Sequence, residues 1–247
     1  MRLDISGSLV FPNSGGSVFI GSGAGKNDDL QNNQNIFIGD STGFTNTGGS
    51  RNTAIGYGVM YSNTFGYYNT AMGYQSMYSN TGGDFNTAYG YESLYANTSG
   101  GGNTALGYST LNNNEDGGSN VAIGYRTLHE NTSGSYNTAG GSLALLDNTT
   151  GYSNTAFGYR AAQNNTTGYN NIAYGNRAAY SNTTGHANVA IGDATLYNST
   201  TQQENIAIGD SALFNNGKGA TIWYYARRNV GIGVKALYSN VVGYDNV

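Results

Sequence analysis

Apolar and polar positions follow a period in this chain that is much longer than a helix turn or a strand pleat. A unit of Asn, a β-branched residue, Ala, an apolar residue and Gly begins at Asn52 as Asn-Thr-Ala-Ile-Gly. It returns at Asn69, Asn86, Asn103, Asn120, Asn137, Asn154, Asn171, Asn188 and Asn205, and a variant stands at Asn35; every step is 17 residues. The next copy, Asn229, comes 24 residues later, so seven residues are inserted, and Asn246 follows at 17 again. Upstream, Ser17-Val18-Phe19-Ile20-Gly21 is one further copy. Repetition this regular means one structural unit stacked on itself.

A 17-residue unit is too short for a helix pair or a propeller blade. It fits one coil of a β-solenoid, and the pattern predicts two short strands and two turns per coil. Roughly 14 coils at the inter-strand spacing of about 4.8 Å give a rod on the order of 65 Å long. Strand one is the motif itself, closed by an unvarying Gly (Gly39, Gly56, Gly73 and on to Gly209 and Gly233). That Gly implies positive φ or a close backbone approach. Strand two is expected around pairs such as Ser76-Met77, Ser93-Leu94, Ala144-Leu145 and Ala212-Leu213. The second turn reads Asn182-Thr183-Thr184-Gly185 or close to it, residues that suit left-handed turns. Asn63, Asn80, Asn97, Asn114, Asn131 and Asn148 fall in one column and predict an amide ladder between coils.

Side chains alternate faces along a strand. The central residue of strand one is Ala in ten of the twelve copies from Asn35 to Asn229, so that face is expected to point into a thin coil. The flanking residues, among them Ile55, Val121, Ile123, Val189, Ile191, Ile206 and Ile208, then form an outward apolar stripe. Soluble monomers avoid such stripes, and a threefold bundle would bury this one along its axis, so these residues are the expected interface of a homotrimer. The competing assignment reverses the faces, with the flanking residues inside.

Composition narrows the class. Of 247 residues 39 are Gly and 22 Tyr, only 10% are charged, and the net charge is −4. With 38% apolar residues, a repeat architecture is a better account than disorder. Lys and Arg are scattered, which argues against nucleic acid as a partner. Cysteine is absent, excluding disulfides and thiolate-bound zinc. No apolar run is long enough to span a membrane, so no insertion by this segment is expected. The opening residues lack a signal peptide's apolar core, and the chain stops mid-repeat at Asn246-Val247; export by another route, or anchoring parts elsewhere, is the expectation. Residues 1–16 read as a lead-in and 17–247 as one solenoid domain with an insertion at about 215–228.

Candidate chemistry is sparse. Gly21-Ser22-Gly23-Ala24-Gly25-Lys26 resembles a phosphate loop, but Ile20 and Asn27 occupy positions where that loop needs Gly and Ser or Thr. His129 and His186 lie on distant coils and read as solvated. Asp193 and Asp210 share a register and are weighed as a cation site against a plain turn preference. Glu115, Asp116, Asp84 and Glu92 lack the paired arrangement that glycoside hydrolysis requires. Asn97 and Asn148 match glycosylation acceptors but coincide with the repeat turn. The insertion is the one break in pattern: it holds Trp223, the only Trp, with Tyr224, Tyr225, Arg227 and Arg228. Loops carry function and aromatic and Arg residues dominate binding hot spots, which makes these five the candidate ligand contacts. The alternative is an extra strand or cap packed on the rod. The column Tyr57, Tyr74, Tyr91, Tyr108 and Tyr125 is a second candidate surface, for carbohydrate.

Copies such as Asn120-Val121-Ala122-Ile123-Gly124 and Asn188-Val189-Ala190-Ile191-Gly192 resemble the head repeats of trimeric autotransporter adhesins, the YadA-like head. The longer unit, Asn-Thr-Ala-Ile-Gly-Tyr followed by Leu-Tyr-Ser-Asn-Thr, is similar to repeats in phage tail fibres and in surface proteins of Bacteroidota-type bacteria. The resemblance runs from Ser17 to the end, although the adhesin repeat is usually shorter than this one. It implies a trimeric, left-handed parallel β-roll on a cell surface or a virion tail, with a role in attachment. The resulting expectation is an extracellular fibre protein, not an enzyme and without a cofactor, that binds itself and a glycan or protein receptor. A structural spacer is the first alternative and a polysaccharide depolymerase a more distant one.

Overall fold

A computed structural model of the chain describes residues 2–3, 9–10, 15–219 and 225–247. A two-stranded antiparallel pair, β1 (Arg2–Leu3) and β2 (Leu9–Val10), precedes the main body. The body is one parallel sheet of thirteen strands in strict chain order. They are β3 (Val18–Ile20), β4 (Ile36–Ile38), β5 (Thr53–Tyr57), β6 (Thr70–Tyr74), β7 (Thr87–Tyr89), β8 (Thr104–Leu106) and β9 (Val121–Ile123). They continue as β10 (Thr138–Gly140), β11 (Thr155–Phe157), β12 (Ile172–Tyr174), β13 (Val189–Ile191), β14 (Ile206–Ile208) and β15 (Val230–Ile232). Each motif pairs with its own equivalent in the next coil, as Thr70, Ala71 and Met72 do with Thr87, Ala88 and Tyr89. The protein is therefore a β-solenoid, a parallel β-roll, and the thirteen rungs span about 60 Å.

The faces are as the alternation predicts. The central Ala of every strand from β5 to β14 is buried, while the residue on either side is half-buried or exposed. The reversed assignment is excluded. Small residues on the strand wall meet large ones on the opposite wall: Met60, Met77, Leu94, Leu111, Leu128, Leu145, Leu196 and Leu213 are fully buried in the same cluster. The first coils invert this exchange. Phe37 points inward at the Ala position, and the opposite wall is Gly43, where an added Cβ would collide with the Phe37 ring. Phe19 and Gly25 repeat that pairing one coil earlier, and the two rings stack with centroids 5.5 Å apart.

One expectation is corrected. Among the described residues the opposite wall carries no second strand; it is a run of turns, with one strand per coil. Its large residues sit in the left-handed region, with φ of 52° at Met77, 54° at Leu94 and 49° at Leu111. A bulky residue there costs about 1–2 kcal/mol, and full burial of its side chain returns about 1.5–3 kcal/mol, so hydrophobic burial holds the wall in place. The chain gains a corner every few residues, which is how 17 residues close a coil. The unvarying motif Gly satisfies both conditions named for it: Gly90 has φ of 135°, and a Cβ there would overlap the Gly107 carbonyl oxygen. The Gly of the second turn is different. Gly66, Gly83 and Gly100 do not have positive φ; they are small because a ladder amide and the next coil's backbone occupy the space a Cβ would take.

Two amide ladders run along the rod, one of them interrupted at Ser199. In the anticipated one, Nδ2 of Asn63, Asn80, Asn97, Asn114, Asn131 and Asn148 donates to the preceding rung's Oδ1 at 2.7–2.8 Å. In the second, made by the motif Asn residues, each backbone N–H donates to the preceding Oδ1, as from Asn52 to Asn35 at 2.9 Å. Its Nδ2 donates to the turn glycine, as from Asn52 to Gly66 O at 2.8 Å. These side chains are essentially fully buried, so each satisfied rung avoids the roughly 1–3 kcal/mol cost of an orphaned polar group.

Candidate functional site

The insertion is described only at its ends. Trp223 and Tyr224 lie outside the described residues; Tyr225, Arg227 and Arg228 lie within them. The chain keeps register through Leu213 and Asn216, then regains it at Ala226, whose side chain is buried and whose carbonyl accepts from Asn216 Nδ2 at 2.7 Å. Tyr225 and Arg227 are half-buried. Arg228 is exposed, but Asp245 holds its guanidinium in a bidentate pair: Nε lies 2.6 Å from Oδ1, and Nη2 donates to Oδ2 at 2.8 Å. The described return of the insertion thus packs on the rod.

The outward strand face carries the stripe. Ile123, Ile191, Ile206 and Ile208 are exposed, and Ile55, Val121 and Val189 are half-buried beside them. Met72, Tyr89, Phe157, Ile172 and Tyr174 extend the stripe across the same sheet face.

The tyrosine columns are continuous stacks. Tyr57, Tyr74, Tyr91, Tyr108 and Tyr125 lie with centroids 5.0–5.4 Å apart and nearly parallel. The inner rings of the stack have both faces covered, so they offer edges and hydroxyls, and only Tyr57 and Tyr125 at the ends have a ring on one side alone. On the opposite wall a second column runs from Phe44 through Tyr61 and Tyr78 to Tyr95 and resumes from Tyr180 to Tyr238. A third, Tyr152 and Tyr169, ends on the ring of His186 at 4.5 Å. His186 is therefore a half-buried member of a stack, not the solvated residue expected.

His129 is also half-buried, with Nδ1 2.8 Å from Glu130 Oε1. Asn113 Nδ2 donates to Glu130 Oε2 at 2.7 Å. Asp147 stands one coil further in the same column. Burial pushes its carboxyl above the usual range, the negative charge of Glu130 adds to that, and Arg126 acts against it. Asp193 accepts from Asn176 Nδ2 at 2.6 Å, and among the described residues no group of three potential ligands is placed to hold a metal ion. Asn97 and Asn148 are buried with Nδ2 committed to the ladder, so the folded protein offers neither for glycosylation. Lys26 lies over the Phe44 ring at 4.9 Å. At the last coil a cavity of about 340 Å³ is lined by Val230, Gly231, Ile232, Ala236, Leu237 and Val247.

The structure adds a group that the sequence reading passed over. Phe65, Tyr67, Tyr68 and Phe85 are 59%, 41%, 47% and 65% exposed on the turns before β6 and β7, and Tyr136 before β10 is 68% exposed. Tyr68 and Phe85 stack at 5.1 Å, and the Arg51 guanidinium lies over Tyr68 at 5.2 Å. Their signal in the sequence was an aromatic residue at a turn position that elsewhere holds Gly102, Ser119, Ser153 or Asn170. No family model matches the chain, and neither does any curated protein or solved structure.

Proposed function

We propose that this protein is part of an extracellular attachment fibre, a homotrimer whose three rods meet along their outward strand faces. The observation that carries this reading is the stripe: exposed apolar residues recur on one face of the sheet, from Ile36 through Ile123 to Ile232. An apolar face this long and regular is a self-association surface by its chemistry, and identical coils on identical chains bring the same columns together. The resemblance to adhesin heads and tail fibres supports the trimer, the left-handed winding and the placement on a cell surface or virion tail. A rod that holds its shape through buried ladders and stacks serves to project and present a surface, and we assign it no reaction. A spacer without ligand shares the same rod; the exposed aromatic turns favour attachment.

Sedimentation analysis tests the assembly. The intact chain is expected to sediment as a trimer, and Ile123→Lys with Ile191→Lys to release folded monomers. A well-folded wild-type monomer at micromolar concentration overturns this reading.

A further inference from the structure

The turn column just before each strand runs Arg51, Tyr68, Phe85, Gly102, Ser119, Tyr136, Ser153, Asn170. Every residue in it has positive φ, including 58° at Phe85 and 62° at Tyr136. Gly and Asn suit such a position, and aromatic residues do not. On the opposite wall the same strain is offset by full burial. Phe85 and Tyr136 have no such offset, since they are the two most exposed aromatic side chains among the described residues. Neither backbone preference nor burial accounts for them.

Their placement is specific. Phe85 is the last ring of the stack, parallel to Tyr68 within 5°, so its far face looks along the rod toward Gly102. No aromatic ring among the described residues stacks on Tyr136. Between the two lie only Gly102 and Ser119, both exposed. Three coil steps separate the walls, about 14 Å at the spacing of paired strands, the length of a short oligosaccharide. The slot thus has an aromatic face at one end, an exposed phenol at the other and a small polar floor.

We propose that this slot binds a short saccharide, one sugar ring stacked on the open face of Phe85 and the remainder reaching over Gly102 and Ser119 to the exposed Tyr136 phenol. A ring face beside hydroxyl groups suits a ligand apolar on one side and polar around its edge, which describes a pyranose. This deepens the attachment reading and rests on it. The slot lies on the turns that precede β7 to β10.

Affinity electrophoresis in native gels containing xylan, hydroxyethylcellulose, dextran or yeast mannan tests the proposal. At least one polysaccharide is expected to retard the wild type. Phe85→Asn and Tyr136→Asn are each expected to weaken that retardation about tenfold or more while melting no lower than wild type. Gly102→Phe, which extends the stack into the slot, is a third variant expected to lose retardation. No retardation of the wild type by any of the four, or retardation unchanged in both Asn variants, overturns the slot. The second outcome, with a sedimenting trimer, leaves the fibre standing and moves its ligand elsewhere; a wild type held only by a deglycosylated protein surface makes the partner a protein and also overturns the slot.

Discussion

Asp28 Oδ2 accepts Nδ2–H of Asn46 at 2.9 Å, and the same oxygen accepts Nδ2–H of Asn35 at 3.1 Å. Asn46 and Asn35 are the first rungs of the two ladders. The Asn46 ladder begins with an amide N–H that has no earlier amide oxygen to accept it, and Asp28 accepts it; the motif ladder is passed on by backbone N–H groups, and there Ser17 Oγ accepts Asn35 N–H at 2.9 Å while Asp28 takes an N–H of the Asn35 side-chain amide. The relation parallels an acidic residue at a helix N-terminus, where aligned dipoles present their donors.

Asp28→Ala removes that acceptor and leaves one N–H of each buried amide unpaired, the other still donating to Gly49 O. The expected cost is about 1–3 kcal/mol for each donor, concentrated in the first coils. Hydrogen exchange checks it: amides of β4 and β5 lose protection, while those of β9 to β12 keep theirs.

The ladder also breaks once. At the rung after Asn182 the sequence has Ser199, and the turn glycine three residues on is replaced by Gln202. The Gln202 side chain folds into the vacated space, where Oε1 accepts from Thr200 N at 2.7 Å and from Ser199 Oγ at 3.1 Å. The exchange leaves Asn182 Oδ1 buried without a partner. The double variant Ser199→Asn, Gln202→Gly restores the rung and is expected to stabilise the protein by about 1–3 kcal/mol. Gln202→Gly alone, which leaves a gap, is expected to destabilise it. Denaturant unfolding of the two singles and the double measures the coupling.

Asp147 gives a pH-dependent prediction. Its carboxyl is held above its ordinary value by burial and by Glu130, so the folded protein binds this proton more tightly than the unfolded chain does. Stability from this group is present at low pH and is lost as pH rises from the ordinary carboxylate value through the raised folded one. Asp147→Asn is expected to be more stable than wild type at pH 7, with the difference closing as pH falls through that window. Thermal melts across a pH series read both the sign and the closure. Neighbouring coils carry Asn113 and Asn164 in this column, so the position accommodates the amide.

Legibility differed from feature to feature. The 17-residue period, the inward Ala, the outward stripe and the Asn ladder were readable because each depends on spacing alone: once coils stack in register, like residues meet like residues. The second strand was misread at Ser76-Met77, because a small residue beside a large one suits a strand and a left-handed turn equally. Only the fold reveals that Met77 adopts positive φ and is buried for it. The role of Asp28 was hidden for another reason: it stands at the Asn46 ladder position one coil earlier, but as Asp and across an 18-residue step, so the 17-residue Asn pattern does not reach it.

The sequence by itself determined the repeat, the stacking register and which side of each strand faces inward, since identical units paired in parallel leave those choices no freedom. The tertiary structure decided the conformation of the opposite wall, the closure of the side-chain ladder on a carboxylate, and which aromatic rings keep an open face. Those features depend on backbone angles and on neighbours from other coils. A linear pattern of residue types records neither.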